Sequence, residues 1–75
     1  MGNGLEHILI FKTNIKEHAD VMVVKQLLDV HEHVAQWSID TGDEDRVLRV
    51  VSTSPCAKDI INLIKTKGFA CAELD

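Results

Sequence analysis

Trp37-Ser38-Ile39-Asp40-Thr41-Gly42-Asp43-Glu44-Asp45-Arg46-Val47-Leu48-Arg49-Val50-Val51-Ser52 is the stretch that decides the fold. Ala35, Trp37 and Ile39 alternate with Gln36, Ser38 and Asp40, the two-residue period of a half-buried strand. Arg46–Ser52 reads as a second strand, with Val47, Leu48, Val50 and Val51 as its apolar content. The polar, glycine-containing Thr41–Asp45 between them is a turn, so Trp37–Ser52 is predicted to be a hairpin.

Each flank of the hairpin supplies one strand and one helix. Upstream, Ile8-Leu9-Ile10-Phe11 is an unbroken apolar run within His7–Thr13, as suits a central strand. Asn14 is placed to cap a helix, with Glu17 three residues on in the capping-box position. From Ala19 to Val30 the apolar residues recur at helical spacing, with Val21, Val24, Leu27 and Leu28 on one face and Lys25, Gln26 and Asp29 on the other. Downstream, Ser54-Pro55 reads as a hydroxyl cap followed by proline at the first helical position. Ala57, Ile60, Ile61, Leu63 and Ile64 form the buried stripe of that helix, Gly68 ends it, and Phe69–Leu74 is the last strand.

The order strand, helix, strand, strand, helix, strand predicts an α+β, ferredoxin-like sandwich: a four-stranded antiparallel sheet with two helices on one face, as a single domain over 1–75. Right-handed crossovers then gather Asn14–Ala19, Thr41–Asp45 and Lys67-Gly68 at one end, and His31–His33 with Ser52–Cys56 at the other. The expected core is Leu9, Phe11, Val24, Leu28, Ile39, Val50, Ile60, Ile64 and Phe69, with either face of the first strand able to turn inward. Residues 1–6 are expected to fray.

With 75 residues, 45% hydrophobic and 27% charged, the composition is that of an ordinary globular domain. A formal charge of −4 disfavours nucleic acid and anionic membranes, which select cationic patches. No apolar run reaches bilayer length and Met1–Leu5 lacks the pattern of a signal peptide, so cytoplasmic residence is expected. Two cysteines, Cys56 and Cys71, fall short of the disulfide framework usual in small secreted domains.

Lys12-Thr13-Asn14-Ile15, Trp37-Ser38-Ile39-Asp40, Val47-Leu48-Arg49-Val50 and Lys67-Gly68-Phe69, in this order, resemble the heavy-metal-associated domain of copper chaperones and metal-transporting ATPases. The resemblance runs from His7 to Leu74 and implies the same ferredoxin-like fold. That family carries M-x-C-x-x-C across its first loop, where paired thiolates grip Cu(I) or Zn(II). Matching Val21 and Val24 to the apolar positions that follow the motif puts Glu17 and Asp20 at the cysteine positions. Soft Cu(I) selects thiolates, while carboxylates suit harder ions that want about six oxygens. The family's metal transfer is therefore not expected here, and no cofactor is.

Four groups of residues remain as candidate sites. Glu17, His18 and Asp20 could form a weak carboxylate–imidazole metal site or a polar contact surface. Their structural alternative is a helix cap, with Lys65 or Lys67 as ion-pair partners. Asp20 falls inside the apolar arc of Val23, Val24 and Leu27, which predicts a core-rim acid tied to backbone amides or Lys65. Asp40, Asp43, Glu44 and Asp45 are not a calcium loop, because the twelfth position from Asp40 is Val51. His31 and His33 could chelate a metal with His7 and Cys56, which the topology brings to the same end, although a histidine near a helix C-terminus is favoured without any ligand. Cys56, at the second helical position, would have an activated thiolate if exposed, but its place beside Ile60 and Leu63 predicts burial. Cys71 shares the parity of Phe69, and no disulfide between the two cysteines is expected.

Nucleophile, base and orienting group occur nowhere together, and there is neither a glycine-rich phosphate loop nor an RNA-binding basic–aromatic strand. The chain therefore reads as a non-enzymatic binding module without the thiolate site, associating with itself or another protein through a sheet face that carries Trp37 or Val47. Two alternatives stand beside it: a weak metal binder using carboxylate and histidine ligands, and a small-molecule sensor, which the lack of glycine in the first loop disfavours.

Overall fold

The computed structural model describes residues 6–74. The elements are β1 (His7–Thr13), α1 (His18–Leu28), β2 (Val34–Asp40), β3 (Val47–Ser52), α2 (Ala57–Thr66) and β4 (Cys71–Glu73). The sheet order is β2-β3-β1-β4 and every neighbouring pair is antiparallel. This is the predicted ferredoxin-like arrangement. Of the start expected to fray, only Glu6 falls within the described residues, and it is exposed.

Register settles which face of β1 turns inward. Leu9 lies opposite Val50 and Phe11 opposite Leu48, and Phe11, Leu48 and Val50 are fully buried. From the helices, Val24 and Leu28 of α1 and Ile60 and Ile64 of α2 complete the same core. Leu9, Ile39 and Phe69 pack against it half-buried, so all nine predicted core positions contribute. Ile15, in the β1–α1 connection, is fully buried and was not foreseen, because a lone apolar residue in a loop has no period to reveal it.

Three local expectations are corrected. The cap of α1 is Glu17, not Asn14; the Asn14 side-chain oxygen instead accepts the Ala70 N–H at 2.9 Å, tying the first loop to the start of β4. Helix α2 begins at Ala57 with Cys56 as its N-cap, so Ser54 and Pro55 form a turn ahead of it. In that turn the Ser54 carbonyl accepts from both the Cys56 N–H and the Ser52 hydroxyl, which holds it out of the helix. Finally, the alternation predicted from Ala35 onward starts only at Gln36, because a bulge shifts the β2–β3 register between Val34 and Gln36 and leaves Ala35 exposed. Gly68 ends α2 as expected, at φ 91° with its N–H donating to Lys65.

Candidate functional site

The first loop is built downward from the end of β1. Thr13 donates its hydroxyl to the Arg46 carbonyl at 2.7 Å and accepts the Ile15 N–H at 3.1 Å. Its own N–H reaches the Asp45 carbonyl at 2.9 Å, so the loop and the hairpin turn meet at one end, as the topology predicted. Arg46 sits at φ 46°, a left-handed conformation unusual outside glycine; its guanidinium folds back onto the Thr41 carbonyl. Asp40 and Asp43 accept the Gly42 and Asp45 amides at 3.1 and 2.8 Å, so two of the four hairpin acids are turn-forming residues.

Glu17 and Asp20 are committed to the start of α1. The Asp20 carboxylate, half-buried, accepts the Glu17 N–H at 3.3 Å, and the Val21 N–H closes the first helical bond on the Glu17 carbonyl. Asp20 is thus the box acid of a cap centred on Glu17, one turn further along than expected. Neither acid pairs with Lys65 or Lys67: among the described residues Lys25 pairs with Asp29 at 2.7 Å, and His33 Nε2 lies 3.3 Å from the Glu32 carboxylate. His18 is exposed beside them.

At the opposite end one polar side chain is buried. Ser52 is fully enclosed; its hydroxyl donates to the Ser54 carbonyl at 2.7 Å, accepts the Ser54 N–H at 3.2 Å and lies 3.2 Å from the Cys56 sulfur. His7 faces Ser52 across the β1–β3 pair. The Thr53 N–H donates to the His33 carbonyl at 2.8 Å, which brings the α1–β2 turn to this end as well. Within the turn the His31 and His33 rings are 5.9 Å apart, but His31 Nδ1 is taken by the His33 N–H at 3.2 Å.

Among the described residues no three His, Cys, Asp or Glu side chains converge as metal ligands. The structure therefore does not gather Glu17, His18 and Asp20, nor His7, His31, His33 and Cys56, into a coordination sphere. Cys56 is buried, as its place beside Ile60 and Leu63 predicts, but it stands at the N-cap rather than at the second helical position. Cys71 is also buried, and burial pushes its thiol up to about 11, partly offset by Lys65. Both thiols are free.

Trp37 is not on the open sheet face. It lies opposite Val50, on the helix side, and its indole N–H donates to Asp29 at 2.8 Å. Lys25 foremost, and then Trp37, holds the Asp29 carboxyl below its ordinary value. The open face instead carries Ile8, 63% exposed, with half-buried Ile10 and Val51 and exposed Lys12 and Arg49. A hollow of about 280 Å³ on this side is lined by Ile8, Gln36, Trp37, Ser38, Arg49 and Val51. Val47, expected on this face, has the right parity but is 7% exposed.

No family model matches the sequence, and no curated protein matches it significantly. Solved structures do. The copper(I)-loaded first domain of the human copper chaperone for SOD1 superposes with a TM-score of 0.77 at 20% identity, covering 93% of this chain and 94% of that one. Oxidized MerP from Ralstonia metallidurans CH34 gives 0.77 at 12% identity over 93% and 99% of the two chains. The N-terminal domain of PacS from Synechocystis PCC6803 gives 0.76 at 8% identity over 92% and 98%. The fold is that of a heavy-metal-associated domain. No helix among the described residues is long and apolar enough to cross a membrane.

Proposed function

We propose that this chain is a non-enzymatic binding module on the heavy-metal-associated fold, without the thiolate metal site, that engages another protein or a second copy through its sheet. The observation that carries the reading is the chemistry of the first loop. Glu17 and Asp20 stand where two thiolates would be needed, and Asp20 already accepts a backbone amide. Carboxylates are poor ligands for Cu(I), and the two here are too few for a hard cation. The partly apolar open face of Ile8, Ile10 and Val51, with Arg49 and Lys12 beside it, supports a contact role. Two unpaired thiols, Cys56 and Cys71, fit a reducing, cytoplasmic setting.

Calorimetric titration of the reduced protein with Cu(I), Zn(II), Ni(II) and Ca(II) tests the reading. The expected result is no heat of binding at micromolar affinity for any of them. Tight Cu(I) binding would overturn the loss of the site. Tight Zn(II) or Ni(II) binding that disappears in His33→Ala would replace this reading with a histidine metal site at the Ser52 end.

A further inference from the structure

We propose that the free edge of β2 pairs antiparallel with the same edge of a second copy, making one continuous sheet across a two-fold axis at Ser38. Strand β2 is an outer strand, hydrogen-bonded to β3 alone among the described residues. An outer strand presents unpaired N–H and C=O groups, and proteins usually blunt such an edge with lysine, proline or a bulge. Here the bulge stands before Gln36, so Gln36-Trp37-Ser38-Ile39-Asp40 runs in unbroken register along β3 with no lysine or proline in it. That segment is long enough to pair and too regular to discourage it.

The segment is also complementary to itself. With the axis at Ser38, Gln36 of one copy lies opposite Asp40 of the other, so an amide donor meets a carboxylate. Asp40 uses Oδ1 for the Gly42 amide at 3.1 Å, which leaves its second oxygen for that contact. Trp37 lies opposite Ile39 of the second copy on the helix side, where both are only half-buried in the single chain. The small hydroxyl of Ser38 meets its own counterpart at the axis, where a bulky or charged residue would be excluded. An isologous contact of this kind closes at two chains and does not propagate.

A hollow on the helix side of the edge suits an added strand. It measures about 280 Å³ and is lined by Leu28, Asp29, Val34, Ala35, Gln36 and Trp37. The hollow on the open side reaches across β3 to Ile8 of β1, so it lies over the sheet face and outside this edge contact. Alternate side chains of an incoming strand point to opposite faces, so every second one can reach the helix-side hollow. This inference does not depend on the missing metal site, because a chain that held a metal at its first loop would keep the same β2 edge.

Sedimentation of the full chain over a concentration series, with three variants, tests it. Ser38 and Ile8 are exposed, so their replacement leaves the fold intact. The wild type is expected to dimerise at high micromolar concentration, Ser38→Lys to be monomeric, and Ile8→Asp to dimerise as the wild type does. Under mild oxidation Ser38→Cys should cross-link roughly tenfold faster than Gln36→Cys, since pairing at the axis makes the reaction effectively intramolecular. A wild type that is monomeric throughout would overturn the proposal. So would equal cross-linking of the two cysteine variants, or a dimer abolished by Ile8→Asp and kept by Ser38→Lys, which would move the contact to the open face.

Discussion

Both helices follow a strand through a short polar connection, β1 to α1 through 14–17 and β3 to α2 through 53–56, yet the two are anchored in opposite ways. In the first the buried anchor is apolar, Ile15, while the polar bonding of Glu17 and Asp20 is near the surface. In the second the buried anchor is polar, the Ser52 hydroxyl with its bonds to Ser54 and Cys56. The difference teaches what each end tolerates. A loop held by a buried isoleucine, with the Thr13 and Asn14 bonds beside it, does not hang on the residues at 17 and 20, which should change chemistry without loss of the fold. A loop pinned by one buried hydroxyl cannot change that residue without leaving backbone groups unsatisfied.

The largest expected effect tests the apolar anchor. Ile15→Ala should destabilise the domain by about 3 kcal/mol, the middle of the range for truncating a fully buried aliphatic side chain. Urea denaturation checks this; a loss below about 1 kcal/mol would mean the loop is held by its surface bonds instead. The polar anchor comes next. Ser52→Ala should cost about 2 kcal/mol in the same measurement, because the Ser54 N–H loses its partner and the Ser54 carbonyl keeps only the Cys56 N–H. Ser52→Thr, which keeps the hydroxyl, should recover part of it.

The surface bonding of the first loop should matter least. The sequence predicts an acid at the core rim tied to an amide or to Lys65, with about 1–3 kcal/mol at stake. The bond found is to the Glu17 amide, 3.3 Å long and exposed. Asp20→Asn is accordingly expected at about 1 kcal/mol or less, as for a surface helix-end interaction. Stabilisation on the same change would mark Asp20 as an acid kept at a cost to stability for binding.

A last effect is one of pH and lies away from both connections. Cys71 is raised by burial from an ordinary 9.0 to about 11. A thiol whose folded value is raised stabilises the native state fully below its unfolded value, and that contribution fades as pH rises through the folded one. Stability should therefore fall between about pH 9 and 11, and Cys71→Ala should flatten that part of the profile.

The architecture was legible because period speaks for itself. The alternation in Trp37-Ser38-Ile39-Asp40, the helical spacing of Ile60 and Ile64, and Gly68 as a stop all carried over into the structure. What stayed hidden were residues whose roles rest on partners far away in sequence. Asn14 looks like a helix cap until Ala70 arrives to take its oxygen. Ser52 looks like the end of a strand until the Ser54-Pro55 turn encloses it. Trp37 has the parity of either face until the bulge at Ala35 and the Asp29 carboxylate fix it on the helix side. At the candidate site, the sequence placed Glu17 and Asp20 at the first loop, and the structure added that they cap α1 one turn later than expected.

The most direct test of the central claim compares Cu(I) binding by the reduced wild type and by the double variant Glu17→Cys/Asp20→Cys, each in competition with a chromophoric chelator. If the first loop keeps its shape on Ile15 and lacks only the ligands, the double variant should take Cu(I) from the chelator while the wild type takes none. A wild type that competed as well as the double variant would contradict the account, because the metal would then be held without thiolates at positions 17 and 20.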